Sequence, residues 1–260
     1  MTPIRSLSVS ALALVAGLTG SVARAELDDE IQVYADEIND PGQFGVELHA
    51  ITFPSARSVP DYAGEVTPNH ALYLTTELSW GLSKTFEAGM YIPFARDSDG
   101  GFYSGGVKGR LKWLPVKEDE AVGGWYAGAN VEYGYEPRRF SDVAYHAELR
   151  TMFGWRDHDW LLGINPTFGW DLSNGASGQG DFNFGFKGTR RVAEGLAMGI
   201  EYYADTGPLA NMLPRQQQDQ KLFFVIDVDR APWVFNFGIG TGLTAATADT
   251  TIKFIFELPI

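Results

Sequence analysis

The 260-residue chain contains no cysteine. That excludes disulfides, thiolate metal sites, thiol nucleophiles and a lipid-modified N-terminal cysteine. Histidine is scarce: His49, His70, His146 and His158 are the full set, and their spacing to carboxylates marks no structural metal site. Beyond the N-terminal stretch no run reaches 18 consecutive apolar residues, so no helical membrane span is expected. A basic surplus is also missing. The 33 acidic residues outnumber the 20 Lys and Arg, leaving a net charge of −13, which argues against nucleic acid as a partner. Catalytic motifs are absent as well. Ser141 lies near His146 in the sequence, but no G-x-S-x-G accompanies them. Gly238-Ile239-Gly240-Thr241-Gly242 does not complete G-x-G-x-x-G and no helix follows it. No catalytic residue, metal or cofactor is expected.

Residues 1–25 have the build of a cleaved signal peptide: Arg5, an apolar stretch from Leu7 to Val22, and Ala23-Arg24-Ala25 as an A-x-A site. Cleavage removes Arg5 and Arg24 and takes the net charge from −13 to −15. Residues 26–42 form an acidic leader, placed in the periplasm, and residues 43–260 remain for one domain. That domain is all-β. Segments of about ten residues alternate apolar and polar, and the period of two puts the two sets on opposite faces of a strand. Twelve are expected, near 43–52, 70–82, 85–95, 103–115, 125–136, 145–156, 160–171, 181–192, 196–205, 219–229, 232–243 and 250–260. Short connections such as Ser83-Lys84 and Arg230-Ala231 alternate with long ones such as 54–69 and 206–218. An even number of strands with alternating turn and loop lengths predicts a transmembrane antiparallel β-barrel of about 12 strands. Both termini then lie in the periplasm and the long loops outside; the eight-residue connection 117–124 is the exception.

The apolar set never fades, as expected for a face turned to lipid. It includes Phe44, Val46 and Leu48, then Trp160, Leu162, Ile164, Phe168 and Trp170, and Phe182, Phe184 and Phe186. All seven Trp fall near strand ends, where aromatic girdles meet headgroups. In the last strand Ile252, Phe254, Phe256, Leu258 and Ile260 share this face, a pattern suited to outer-membrane lipid and to recognition by the barrel-assembly machinery, although Phe is the usual last residue. The opposite face should line the lumen: Glu47, Glu77, Glu87, Lys108, Arg110, Lys112, Glu132, Glu148, Arg150, Lys187, Glu201, Asp227 and Lys253. Lys108, Arg110 and Lys112 form a basic ladder flanked by Glu87 and Glu132. Two readings stay open: a charged path that sets the selectivity of a pore, or a salt-bridge network that seals the lumen. A soluble sandwich or lipocalin-like barrel would need neither twelve strands nor an export signal.

The stretch from Phe235 to Thr244, the closing Lys253-Phe254-Ile255-Phe256, Pro68-Asn69-His70-Ala71-Leu72 and Gly199-Ile200-Glu201-Tyr202-Tyr203 together resemble a family of exported proteobacterial barrels. Its members are labelled outer-membrane proteins of the phenol meta-degradation pathway. The resemblance covers most of the chain after residue 25 and rests mainly on strand patterning. It implies a barrel of the bacterial outer membrane that passes small or aromatic solutes, and it supplies no catalytic residue; the barrel is expected to be a monomer. A structural barrel with a sealed lumen is the alternative, and a lipid-modifying enzyme a more distant one.

Overall fold

A computed structural model of the protein describes residues 28–117, 122–173 and 180–258. The signal peptide, Glu26 and Ile260 lie outside the described residues. The strands are β1 (Phe44–Ser55), β2 (Leu72–Gly81), β3 (Phe86–Arg96), β4 (Phe102–Ser104), β5 (Val107–Val116), β6 (Gly124–Tyr135), β7 (Tyr145–Arg156), β8 (Trp160–Asp171), β9 (Asp181–Ala193), β10 (Leu196–Pro208), β11 (Asp219–Arg230), β12 (Trp233–Gly242) and β13 (Thr250–Leu258). All pairings are antiparallel. Apart from β4, which pairs with β3 alone, each strand pairs with its neighbours around the barrel: β3 pairs with both β2 and β5, and β1 closes on β13. The result is a closed twelve-stranded barrel, with β4 as a short extra strand on β3.

The fourth expected strand, 103–115, is broken in two. Gly106 has φ +107°, and a Cβ there would lie 1.9 Å from the Tyr135 carbonyl oxygen. Only glycine takes that conformation and tolerates that approach. Opposite the break sits Pro93, which lacks an N–H to continue the ladder; its carbonyl accepts from Gly105 N at 2.8 Å.

Side chains alternate across the wall, most clearly on β2, β5, β6 and β11. On β11, Phe224 is 53% exposed while Phe223 and Val225 are fully buried. Leu111, Val131, Ile200 and Ile239 are similarly exposed. A closed barrel leaves no unpaired edge, and this outward apolar band is the surface that hydrocarbon covers. Trp80, Trp113, Trp125, Trp155, Trp160 and Trp233 sit at the short-turn end, and Trp170 at the long-loop end. The loop-end girdle is built more from Tyr133, Tyr135 and Tyr145, whose rings stack or tilt together at 5.4–6.2 Å. Phe224→Arg is therefore expected to impair assembly, since a cation on the lipid face near the midplane costs about 2–4 kcal/mol. Heat-modifiable gel mobility of refolded protein checks it; normal folding yield would contradict the outward placement of β11.

The core lies inside the barrel, at the loop end. Ile51, Phe53, Tyr73, Ala95, Phe223 and Val225 from the strands pack with Ala71, with Phe140 from the loop between β6 and β7, and with Ile31 from the N-terminal segment. The sequence reading treats the lumen as charged; its upper tier is apolar and aromatic.

Candidate functional site

The described part of the acidic leader does not lie in the periplasm. Residues 28–40 run through the lumen along the length of the barrel, ending at the short-turn rim, where β1 begins. Ile31, Val33, Tyr34 and Ala35 are 3–5% exposed. The physical reason is charge and shape complementarity: the leader's acids meet inward-facing cations level by level, and its apolar residues fill the space between.

At the loop end Asp28 pairs with Lys221 at 2.7 Å, Asp29 with Lys108 at 2.8 Å and Glu30 with Arg150 at 2.9 Å. Lys253 donates to the Ile31 carbonyl at 2.8 Å and bonds Glu201. Midway, Asn165 holds the backbone of Tyr34 from both sides: its Oδ1 accepts from Tyr34 N at 2.6 Å and its Nδ2 donates to Tyr34 O at 3.0 Å. This is the pairing a neighbouring strand would otherwise supply. The Tyr34 hydroxyl meets that of Tyr91 at 2.5 Å and accepts from Arg110 at 2.8 Å. Near the short-turn end Arg156 bonds Asp36 at 2.8 Å and also Glu37. Lys112 donates to the Glu37 carbonyl at 3.1 Å. Asn39 finishes the path, its N–H on Glu87 at 2.8 Å and its amide on Ser79 at 2.8 Å. Gly45 and Gly81 make room for this exit: a Cβ on Gly81 would lie 2.1 Å from the Asp40 carbonyl oxygen.

The basic ladder is neutralised, not free. Arg110 lies between Glu77 at 2.7 Å and Glu87 at 2.6 Å. Lys108 has Glu132 at 3.9 Å besides Asp29, and Lys112 has Glu87 at 3.7 Å. Across the lumen Lys187 bridges Glu201 at 3.4 Å and Asp227 at 2.9 Å, and Glu148 holds Arg150 at 2.9 Å. Glu47 is set apart from these pairs and faces His49 at 3.8 Å. With cations paired to acids from both wall and leader, the positive stripe that the ladder alone would make is cancelled.

Above the leader, at the loop end, a cavity of about 810 Å³ opens. Residues 28–32 floor it, with Lys108 and Arg150. Phe53, Tyr73, Phe140 and Tyr203 give aromatic wall, and Asn165 and Thr167 give amide and hydroxyl groups. Loops lean over it: Val66 N bonds Arg139 O at 2.9 Å, which brings Phe140 edge-on to Tyr73 with ring centres 6.3 Å apart.

Ser141 and His146 do not form a catalytic pair. Ser141 Oγ accepts from Val143 N at 3.2 Å, and His146 Nε2 faces Glu136 at 3.4 Å. Sequence reasoning missed the leader's place in the lumen and its acids and Tyr34 as lumen residues. The signal for both was present in Ile31, Val33 and Tyr34, apolar or aromatic residues set among the acids.

Fold and lumen together define a transmembrane β-barrel whose interior is occupied by its own N-terminal segment. Among solved structures it is similar to an outer membrane channel from Pseudomonas putida F1, with TM-score 0.60 and 13% identity over 88% of this chain and 99% of that one. It is also similar to the NanC porin, with TM-score 0.51 and 12% identity over 82% of this chain and 97% of that one. At these identities the likeness is one of fold. No family model matches the sequence, and no curated protein does.

Proposed function

We propose that the protein is a channel of the bacterial outer membrane for small solutes, closed by its leader in the state described above. The observation that carries this is the cavity at the loop end, large enough for a small solute and floored by a segment held through side-chain contacts and no strand pairing. The two structural neighbours are called a channel and a porin, which supports the same reading. The aromatic wall, with amide and hydroxyl groups beside it, suits small aromatic or amphipathic solutes. That agrees with the resemblance to barrels of phenol degradation pathways. The protein acts without catalysis, as a monomer, and reaches the membrane through recognition of its last strand. The second reading, a purely structural barrel, draws on the apolar cluster that joins Ile31 to both walls of the lumen.

Planar-bilayer current separates the two. The full chain should be closed or nearly so, and a chain lacking residues 28–40 should conduct in discrete steps while keeping its heat-modifiable mobility. Equal, featureless records from both would favour the structural barrel.

A further inference from the structure

We propose that the lumen carries a divalent cation site of the zinc type, formed by Glu47 and His49 of β1 and Glu77 of β2. Glu47 and His49 are two apart on β1, so both point inward. Glu77 lies directly across from Glu47 on β2. Their nearest ligand atoms all lie within 4.8 Å of one another. His49 Nε2 stands 3.3 Å from Glu77 Oε2 and 3.8 Å from Glu47 Oε2. Four ligands at zinc's usual bond lengths of about 2.0–2.1 Å are separated by about 3.3 Å. The first pair already meets this, and the second needs a shift of about half an ångström. One imidazole and two carboxylates are a donor set zinc accepts, leaving a position for water. The other Glu77 oxygen is held by Arg110 at 2.7 Å, which fixes the orientation of this ligand.

Charge makes the site more than a coincidence of side chains. Glu47 is paired across β1 with Glu257 of β13 as well as with Glu77. Three carboxylates therefore stand in one row across three adjacent strands, and like charges directly opposite repel. Arg110 serves Glu77, but among the described residues no Lys or Arg lies within 4 Å of Glu47 or Glu257. A divalent ion fills this deficit and ties β1 to β2. His49 and Glu77 are 1% and 3% exposed, while Glu47 is 24% exposed and gives access from the lumen. No metal site is expected from the sequence, because only the strand register brings Glu77 to Glu47.

The test is a calorimetric titration of the refolded full-length barrel with zinc chloride, paired with its melting curve and with the visible absorption of the cobalt(II) form. Saturable binding of one ion, a raised melting temperature and cobalt bands of low coordination number are expected. Glu47→Gln removes a repelled charge, so the metal-free barrel should fold at least as well while zinc affinity falls tenfold or more. His49→Ala should abolish the cobalt bands. Absence of saturable heat in the parent would overturn the proposal and leave a protonated His49 as the neutralising group. Binding unaltered in both variants would overturn it too, by placing the ion elsewhere.

Discussion

Replacing Arg110 with methionine is expected to destabilise the barrel by about 3–5 kcal/mol, the usual result of deleting one partner from a buried ionic network. The side chain is 1% exposed and has Glu77 at 2.7 Å and Glu87 at 2.6 Å. It also donates to the hydroxyls of Tyr34 and Tyr91 at 2.8 and 2.7 Å. Its removal leaves Glu77 with His49, and Glu87 with Lys112 and the Asn39 N–H, in place of a buried guanidinium. The network need not add net stability as a whole, because burying it carries its own desolvation cost. Adding Glu77→Gln and Glu87→Gln to Arg110→Met should therefore recover most of the loss. Urea unfolding of the barrel in lipid vesicles compares the parent with both variants. A loss under about 1 kcal/mol in the single variant would mean that water, not these carboxylates, solvates Arg110.

The second large effect concerns closure. Asp29→Lys with Glu30→Lys is expected to expel the leader and give a steady current where the parent is closed. Each replacement puts an ammonium beside Lys108 or Arg150, turning an attraction of about 4 kcal/mol at 4 Å and an effective dielectric of 20 into a repulsion of similar size. The apolar contacts of Ile31 and the amide bonds from Asn165 oppose release. Reversing the wall as well, with Lys108→Glu and Arg150→Glu, should restore the closed state. Single-channel recording of the double and quadruple variants reads both outcomes. A closed double variant would show that the Asp29 and Glu30 ion pairs are not what retains the leader.

The wall of this barrel was legible because one period governs it. β8 and β13 read outward Trp160, Leu162, Ile164 and Ile252, Phe254, Phe256; β8 has its expected bounds and β13 begins at the expected Thr250. The one interruption turned on backbone handedness at Gly106, and a glycine in a strand pattern does not announce its φ. The contents of the lumen were harder to read. Acids in a leader look like solvated charge until their partners are known, and those partners are remote: Asp28 bonds Lys221, 193 positions away. Glu47 and His49 could be placed on one face from sequence, but their meeting with Glu77 depends on the hairpin register of β1 and β2.

The leader occupies the lumen of the assembled protein, and an engineered cross-link tests this most directly. The chain has no cysteine, so a pair can be introduced without background. A Cβ built on Gly185 of β9 lies 3.4 Å from a Val33 methyl carbon, close enough for a disulfide between side chains at these positions. Val33→Cys with Gly185→Cys, folded under reducing conditions, inserted in vesicles and then mildly oxidised, is expected to lose both free thiols to an intramolecular bond. Intact mass and thiol labelling read this. Two thiols that stay reduced and label readily in the assembled barrel would place the leader outside the lumen and contradict the account.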